Sequence, residues 1–143
     1  MEPTMLLKTQ VAKKILVVDD EEAIREVVTL SLEAGTAWSV LTASSGADAL
    51  DLVRRERPDA ILMDVMMPDM GGPEVLRQLQ AARDTSQIPV ILLTGKAPSP
   101  DSRSPDQGPF AGCEVAGVIA KPFDPLRLAG QVAACLGWEA PNP

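Results

Sequence analysis

Asp19, Asp20, Asp64, Thr94 and Lys121 are the side chains in this sequence whose types and spacing can do chemistry together. Each follows a short apolar run: Ile15–Val18 before the paired acids, Ala60–Met63 before Asp64, Val90–Leu93 before Thr94, and Val118–Ala120 before Lys121. If those runs are parallel strands, their carboxyl ends share one edge of a sheet, where functional crevices form. Three carboxylates, a hydroxyl and an ammonium then lie within reach of each other. Crowded carboxylates raise one another's pKa unless a cation relieves the repulsion. Lys121 supplies one positive charge, and a hard divalent ion such as Mg²⁺ (or Mn²⁺), which prefers oxygen ligands, supplies the rest. A metal so held can bind a phosphoryl oxygen while a carboxylate attacks phosphorus in line, the chemistry that makes aspartyl-phosphates.

Each residue also has a plainer role. Asp19 or Asp20 could cap a following helix, Asp64 could be a turn residue ahead of Pro68, and an isolated Thr94 or Lys121 carries little information. Only their joint placement at strand ends favours a site. Met63, Met66, Met67 and Met70 read as core and loop packing, and Cys113 and Cys135 as small apolar residues.

The elements that must position these groups alternate along the chain. Ile15–Val18, Ala60–Met63 and Val90–Leu93 are continuous apolar runs, as expected of strands buried on both faces. Trp38–Ala43, with Ser39 and Thr42, reads as an edge strand, and Val118–Ala120 is the fifth and shortest. Between them, Ile24, Val27, Val28 and Leu32 share a helical face, as do Ala49, Leu50 and Val53. A helix starts at Gly72-Pro73 and buries Leu76 and Leu79. The last starts at Asp124-Pro125, buries Leu128, Val132 and Leu136, and stops at Gly137. Between Gly95 and Gly112 the prolines Pro98, Pro100, Pro105 and Pro109 forbid a regular helix, so any fourth helix is confined to Phe110–Ala116. The pattern is (βα)5 with an irregular fourth helix: a doubly wound, parallel, five-stranded sheet of order 2-1-3-4-5.

Composition narrows the classes. The 143 residues fit one domain, and 45% apolar content suffices for a core without staples. A net charge of −7 disfavours direct contact with nucleic acid. The absence of His excludes His-based triads and zinc–His sites within the chain. Two cysteines make no disulfide framework and read as reduced thiols. With no signal-peptide pattern and no stretch able to span a bilayer, the expectation is a cytoplasmic protein without membrane insertion. Residues 1–12 and 139–143 are expected to be tails around a domain of residues 13–138.

VVDDE at Val17–Glu21, LMDVMMP at Leu62–Pro68, LLTG at Leu92–Gly95 and KPF at Lys121–Phe123 together resemble the receiver-domain signatures of two-component response regulators. They come in that family's order and cover Lys14 to about Leu136. The resemblance implies a flavodoxin-like fold and assigns roles by position. Asp64 is then the phosphoacceptor. Asp20 ligates the metal, Asp19 does so directly or through water, and Asp64 and the Met66 backbone carbonyl complete the protein ligands. Thr94 and Lys121 bind the phosphoryl group, and the bond to Pro122 is cis. The implied partners are a sensor histidine kinase or phosphotransfer protein and a downstream protein target, with homodimerisation left open. No output domain follows Leu136, so a stand-alone regulator is expected, non-enzymatic apart from its own phosphorylation and dephosphorylation.

The sequence departs from the family at Val118, where an aromatic switch residue is usual. Valine cannot make the ring rotation that couples Thr94 to the output face, so the Gly95–Gly112 stretch is expected to respond instead. Met66 and Lys96 flank the site, and an apolar Met66 implies hindered access of water to a phosphoaspartate. The altered switch gives weight to a phosphate-independent interaction module. An FMN protein or an aspartate-nucleophile phosphatase fits less well. Tyr is absent and aromatics are 3% of the chain, and Met66 stands where such phosphatases carry a second acid.

Overall fold

The computed structural model describes residues 13–34, 36–67, 70–95 and 114–139. In chain order these form β1 (Lys14–Val18), α1 (Glu22–Glu33), β2 (Ser39–Ala43), α2 (Gly46–Glu56), β3 (Ala60–Asp64), α3 (Gly72–Ala81), β4 (Val90–Thr94), β5 (Gly117–Ala120) and α4 (Leu128–Leu136). The strands make one sheet of order β2-β1-β3-β4-β5 with every pairing parallel. The expected strand order and edge position of β2 are therefore observed. The expected Phe110–Ala116 helix falls mostly outside the described residues, as does most of the Gly95–Gly112 stretch. No described helix is long and apolar enough to cross a membrane.

Alternation along the strands sorts the core into two layers. Leu16, Val18, Ile61, Met63 and Leu92 point to the face covered by α2 and α3, against Ala49, Leu50, Val53, Val75, Leu76 and Leu79. Ile15, Val17, Leu62, Ile91, Leu93 and Ile119 point to the face covered by α1 and α4, against Val28, Leu32, Leu128 and Val132. Strands buried on both sides need apolar residues at every position, which is why the central runs show no polar alternation.

Local signals set most helix ends. Ser45 caps α2 by accepting from the Asp48 N–H at 3.1 Å. Pro73 occupies the first turn of α3. Gly137 ends α4 with φ of 72°, a conformation glycine adopts without steric cost.

Two expectations are corrected. The last helix starts at Leu128, not at Asp124-Pro125. Asp124 Oδ1 accepts from the Leu126 N–H at 2.9 Å, and its carbonyl accepts from the Arg127 N–H at 2.9 Å. It thus caps a tight turn that precedes the helix. Val27 is 39% exposed whereas Val28 and Leu32 are buried. Adjacent helical residues are rotated by about 100°, so Val27 lies outside the arc that Val28 and Leu32 share.

Leu62, fully buried in the central strand β3, offers a test of this layering. Leu62→Ala is expected to cost about 2–5 kcal/mol of stability, measured by urea denaturation followed by circular dichroism. A loss under about 1 kcal/mol would contradict the close packing described.

Candidate functional site

Parallel register brings the polar strand ends together. Val18 lies opposite Met63, Asp64 opposite Leu93, and Thr94 opposite Ala120. Asp19, Asp64, Thr94 and Lys121 therefore follow one another along the carboxyl edge of β1, β3, β4 and β5. The Lys121 N–H donates to the Thr94 carbonyl at 2.7 Å, which carries the ladder one residue beyond β5 and fixes where the lysine side chain departs. Thr94 itself is partly exposed at the end of β4. The Lys121–Pro122 peptide is cis, as expected.

Lys121 reaches back across this edge. Its Nζ donates to Asp64 Oδ1 at 3.0 Å and to Asp19 Oδ2 at 3.1 Å. Asp19 is fully buried and Asp64 is 5% exposed, whereas Asp20 is exposed. One carboxylate oxygen from each of Asp19, Asp20 and Asp64 lies within 4.8 Å of the others. Burial pushes the Asp64 carboxyl above its ordinary range; the Lys121 hydrogen bond opposes this, and the charge of Asp19 adds to it. The Met66 backbone amide also stabilises the Asp64 carboxylate. For Lys121, burial favours the neutral amine, but the hydrogen bonds to Asp64 and Asp19 outweigh it and hold the pKa above its ordinary value. The lysine is a committed cation.

Asp19, Asp20, Asp64 and Lys121 are thus brought together, with Thr94 at the end of the adjacent strand, while two other sequence-predicted positions present exposed side chains. Met66 follows β3 with its side chain 76% exposed, and Val118 is 44% exposed on β5. Lys96 and Cys113 lie outside the described residues, and Cys135 is a partly buried thiol whose pKa burial raises.

The structure also adds two residues that sequence reasoning missed. Gly72 packs so closely on the end of β3 that a Cβ there would meet the Asp64 carbonyl at 3.3 Å. Arg25 Nη1 donates to the Asp19 carbonyl at 2.8 Å. In the sequence the glycine signals only a helix start, and an arginine on a helix surface ordinarily reads as solvated.

The donor set suits a hard divalent cation. It consists of carboxylate oxygens carrying more negative charge than one ammonium balances, and one of them faces solvent. Such oxygen ligation is what Mg²⁺ and Mn²⁺ prefer, while the chain has no His and no described Cys joins the acid cluster to favour zinc.

Residues 15–133 match the family model described as the response regulator receiver domain. The chain is 39% identical over 130 residues to the response regulator MprA of Mycobacterium sp. (strain KMS), covering 90% of this chain and 53% of that protein. It is 37% identical over 126 residues to the alkaline phosphatase synthesis transcriptional regulatory protein PhoP of Bacillus subtilis (strain 168), covering 87% and 48%. The chain thus spans about half the length of the curated relatives it matches. Among solved structures, the chemotaxis response regulator CheY4 of Vibrio cholerae superposes with a TM-score of 0.76 at 30% identity, over 87% of this chain and 99% of that one. The receiver domain of sensor histidine kinase PA1611 from Pseudomonas aeruginosa PAO1, solved with a magnesium ion coordinated in its active-site cleft, superposes with a TM-score of 0.74 at 26% identity, over 89% and 99%.

The electrostatics yield a prediction with a definite sign. Because the folded-state pKa of Asp64 is raised, the folded chain holds its proton more tightly than the unfolded chain. Ionised Asp64 therefore lowers stability at neutral pH, and that penalty is relieved as pH falls toward its ordinary value of 3.8. In EDTA at neutral pH, Asp64→Asn is expected to melt higher than the parent, with the difference narrowing as pH is lowered. A variant that melts lower than the parent at neutral pH would show that the Lys121 hydrogen bond outweighs the burial and repulsion.

Proposed function

Because the chain belongs to the response regulator receiver domain family, we propose that it is a phosphoacceptor module that receives a phosphoryl group on Asp64 from a histidine kinase or a phosphotransfer protein. The observation that carries this reading is the nearly buried Asp64 carboxylate, hydrogen-bonded to Lys121 at 3.0 Å and clustered with Asp19 and Asp20.

In the proposed reaction an Asp64 carboxylate oxygen attacks phosphorus in line. The bond between phosphorus and the donor imidazole nitrogen breaks, and its electron pair returns to the imidazole. Lys121 does not give up a proton, since its hydrogen bonds hold it protonated; it turns its ammonium toward the incoming phosphoryl oxygens. The Thr94 hydroxyl, at the end of the adjacent strand, donates to another phosphoryl oxygen and moves toward it. Asp19, Asp20, Asp64 and the Met66 backbone carbonyl would hold Mg²⁺ or Mn²⁺. That ion supplies charge neutralisation for the phosphoryl oxygens.

Residues 13–138 form the module in this reading. Its support is the packing of Trp138 against Trp38, ring centroids 5.3 Å apart, with the Lys13 ammonium 5.1 Å from the Trp138 ring. Output passes to a downstream protein target by a change of surface, with Val118 in place of the aromatic that resembling domains use. The catalysis proposed is confined to the chain's own phosphorylation and dephosphorylation.

Intact-mass analysis after incubation with a small phosphoryl donor and Mg²⁺ tests the proposal. One added phosphoryl group is expected, absent in Asp64→Asn and abolished by a chelator. A folded protein that takes up none would instead support an interaction module independent of phosphate. Met66 stands two residues after Asp64 with an apolar side chain, which is expected to impede water, so Met66→Asn should lose its phosphoryl group severalfold faster than the parent. Equal decay rates would remove Met66 from the control of hydrolysis.

A further inference from the structure

Asp19 and Asp20 are neighbours of one residue type, yet the structure holds them in different ways. Asp19 is fully buried. Its N–H donates to the Ala43 carbonyl at 3.1 Å, its Oδ1 accepts from the Glu21 N–H at 2.9 Å, and its Oδ2 accepts from Lys121 at 3.1 Å. The Asp20 carboxylate is exposed, and among the described residues nothing hydrogen-bonds it. Its place in the acid cluster depends on the backbone from which it projects.

That backbone is held by Arg25. The Asp19 carbonyl belongs to the peptide plane that leads directly into Asp20, and Arg25 Nη1 donates to it at 2.8 Å. The same residue's N–H donates to the Glu21 carbonyl at 3.1 Å, closing the first turn of α1. Arg25 is only half-buried, and its guanidinium reaches the end of β1. Together with the Ala43 and Glu21 bonds, this clamps the short segment between β1 and α1 from both sides.

We propose that Arg25 is a positioning residue for the divalent-cation site: by bonding the Asp19 carbonyl it fixes the peptide plane that aims the exposed Asp20 carboxylate at Asp19 and Asp64. The inference rests on the reading of the acid cluster as a metal site. It assigns to Arg25 no contact with the metal or with the phosphoryl group.

Two effects of Arg25 oppose each other, and their signs separate the proposal from a simpler account. As a cation bonded to the Asp19 backbone beside the acid cluster, Arg25 repels an incoming divalent ion, so removing it through charge alone strengthens binding. As a clamp, it preorganises Asp20, so removing it weakens binding. Loss of a group that orients a metal ligand ordinarily costs about 10-fold to 100-fold in affinity.

The test is calorimetric titration of the full chain with Mg²⁺, well below the melting temperature, for the parent, Arg25→Met, Asp20→Asn and the double variant, with melting in EDTA measured in parallel. Arg25→Met is expected to bind Mg²⁺ about 10-fold more weakly and to cause no further loss when Asp20 is already Asn. Unchanged or tighter binding by Arg25→Met would overturn the proposal, as would a full additional loss in the double variant, because the effect would then bypass Asp20. Should Arg25→Met fail to fold, Arg25→Lys keeps the charge but not the fork of donors, and weaker Mg²⁺ binding is expected of it too. A parent protein that binds no Mg²⁺ would instead sink the reading of the cluster as a metal site.

Discussion

One ammonium shared by two nearly buried carboxylates is the constraint on which the site depends. Lys121 lies 3.0 Å from Asp64 and 3.1 Å from Asp19, and the three groups arrive from three different strands. Breaking a buried ion pair by removing one partner leaves an uncompensated charge, so such pairs specify position more than they add stability. The bridge therefore works as a gauge. It is met only if β1, β3 and β5 stand in the parallel register observed, because shifting one strand by a single residue would turn its side chains to the opposite face. The two apolar layers supply the energy that holds this register, and the polar edge makes the register chemically useful.

The strands and the strand-end acids were legible for the same physical reason. A strand covered on both faces has no solvent side, so β1, β3 and β4 are written as unbroken apolar runs, and the first polar residue after each run marks the sheet's edge. Less was legible where one residue type serves two structures. Asp124 is as good a cap for a turn as for a helix, and the choice was made by its hydrogen bonds to Leu126 and Arg127. Val27 satisfied the apolar period but fell beyond the arc the sheet covers. Arg25 left no signal because its partner is a backbone carbonyl, a group present at every position and invisible in composition. The close approach of Gly72 to the end of β3 is likewise a property of two backbones meeting.

The paired acids show how adjacent identical residues acquire different duties. Asp19 continues the line of β1 and points inward, where Lys121 and the Glu21 amide use both its oxygens. Asp20 begins the turn into α1 and stays in water. Asp19 is not the cap of α1, whose capping position is Glu21 and which makes no side-chain cap bond; its bond to the Glu21 amide closes a turn that leads into the helix. The turn bond and the charge pairing are made by two oxygens of one carboxylate, so the entry to the helix and the acid cluster are tied together.

Charge counting then shows why the pocket suits a divalent ion and a phosphoryl group together. Three carboxylates and one ammonium leave two uncompensated negative charges, a balance that one divalent cation closes and a monovalent ion does not. The proposed conversion of Asp64 to an acyl phosphate would remove one carboxylate charge and add about two. The site would then be more negative after transfer than before, and its demand for a cation would grow with phosphorylation. By linkage, a cation bound more tightly by the phosphorylated form must in turn favour that form over the free carboxylate. The crowding that penalises ionised Asp64 in the metal-free fold is therefore the same feature that, in the proposed reaction, would couple the ion to the covalent state of the aspartate.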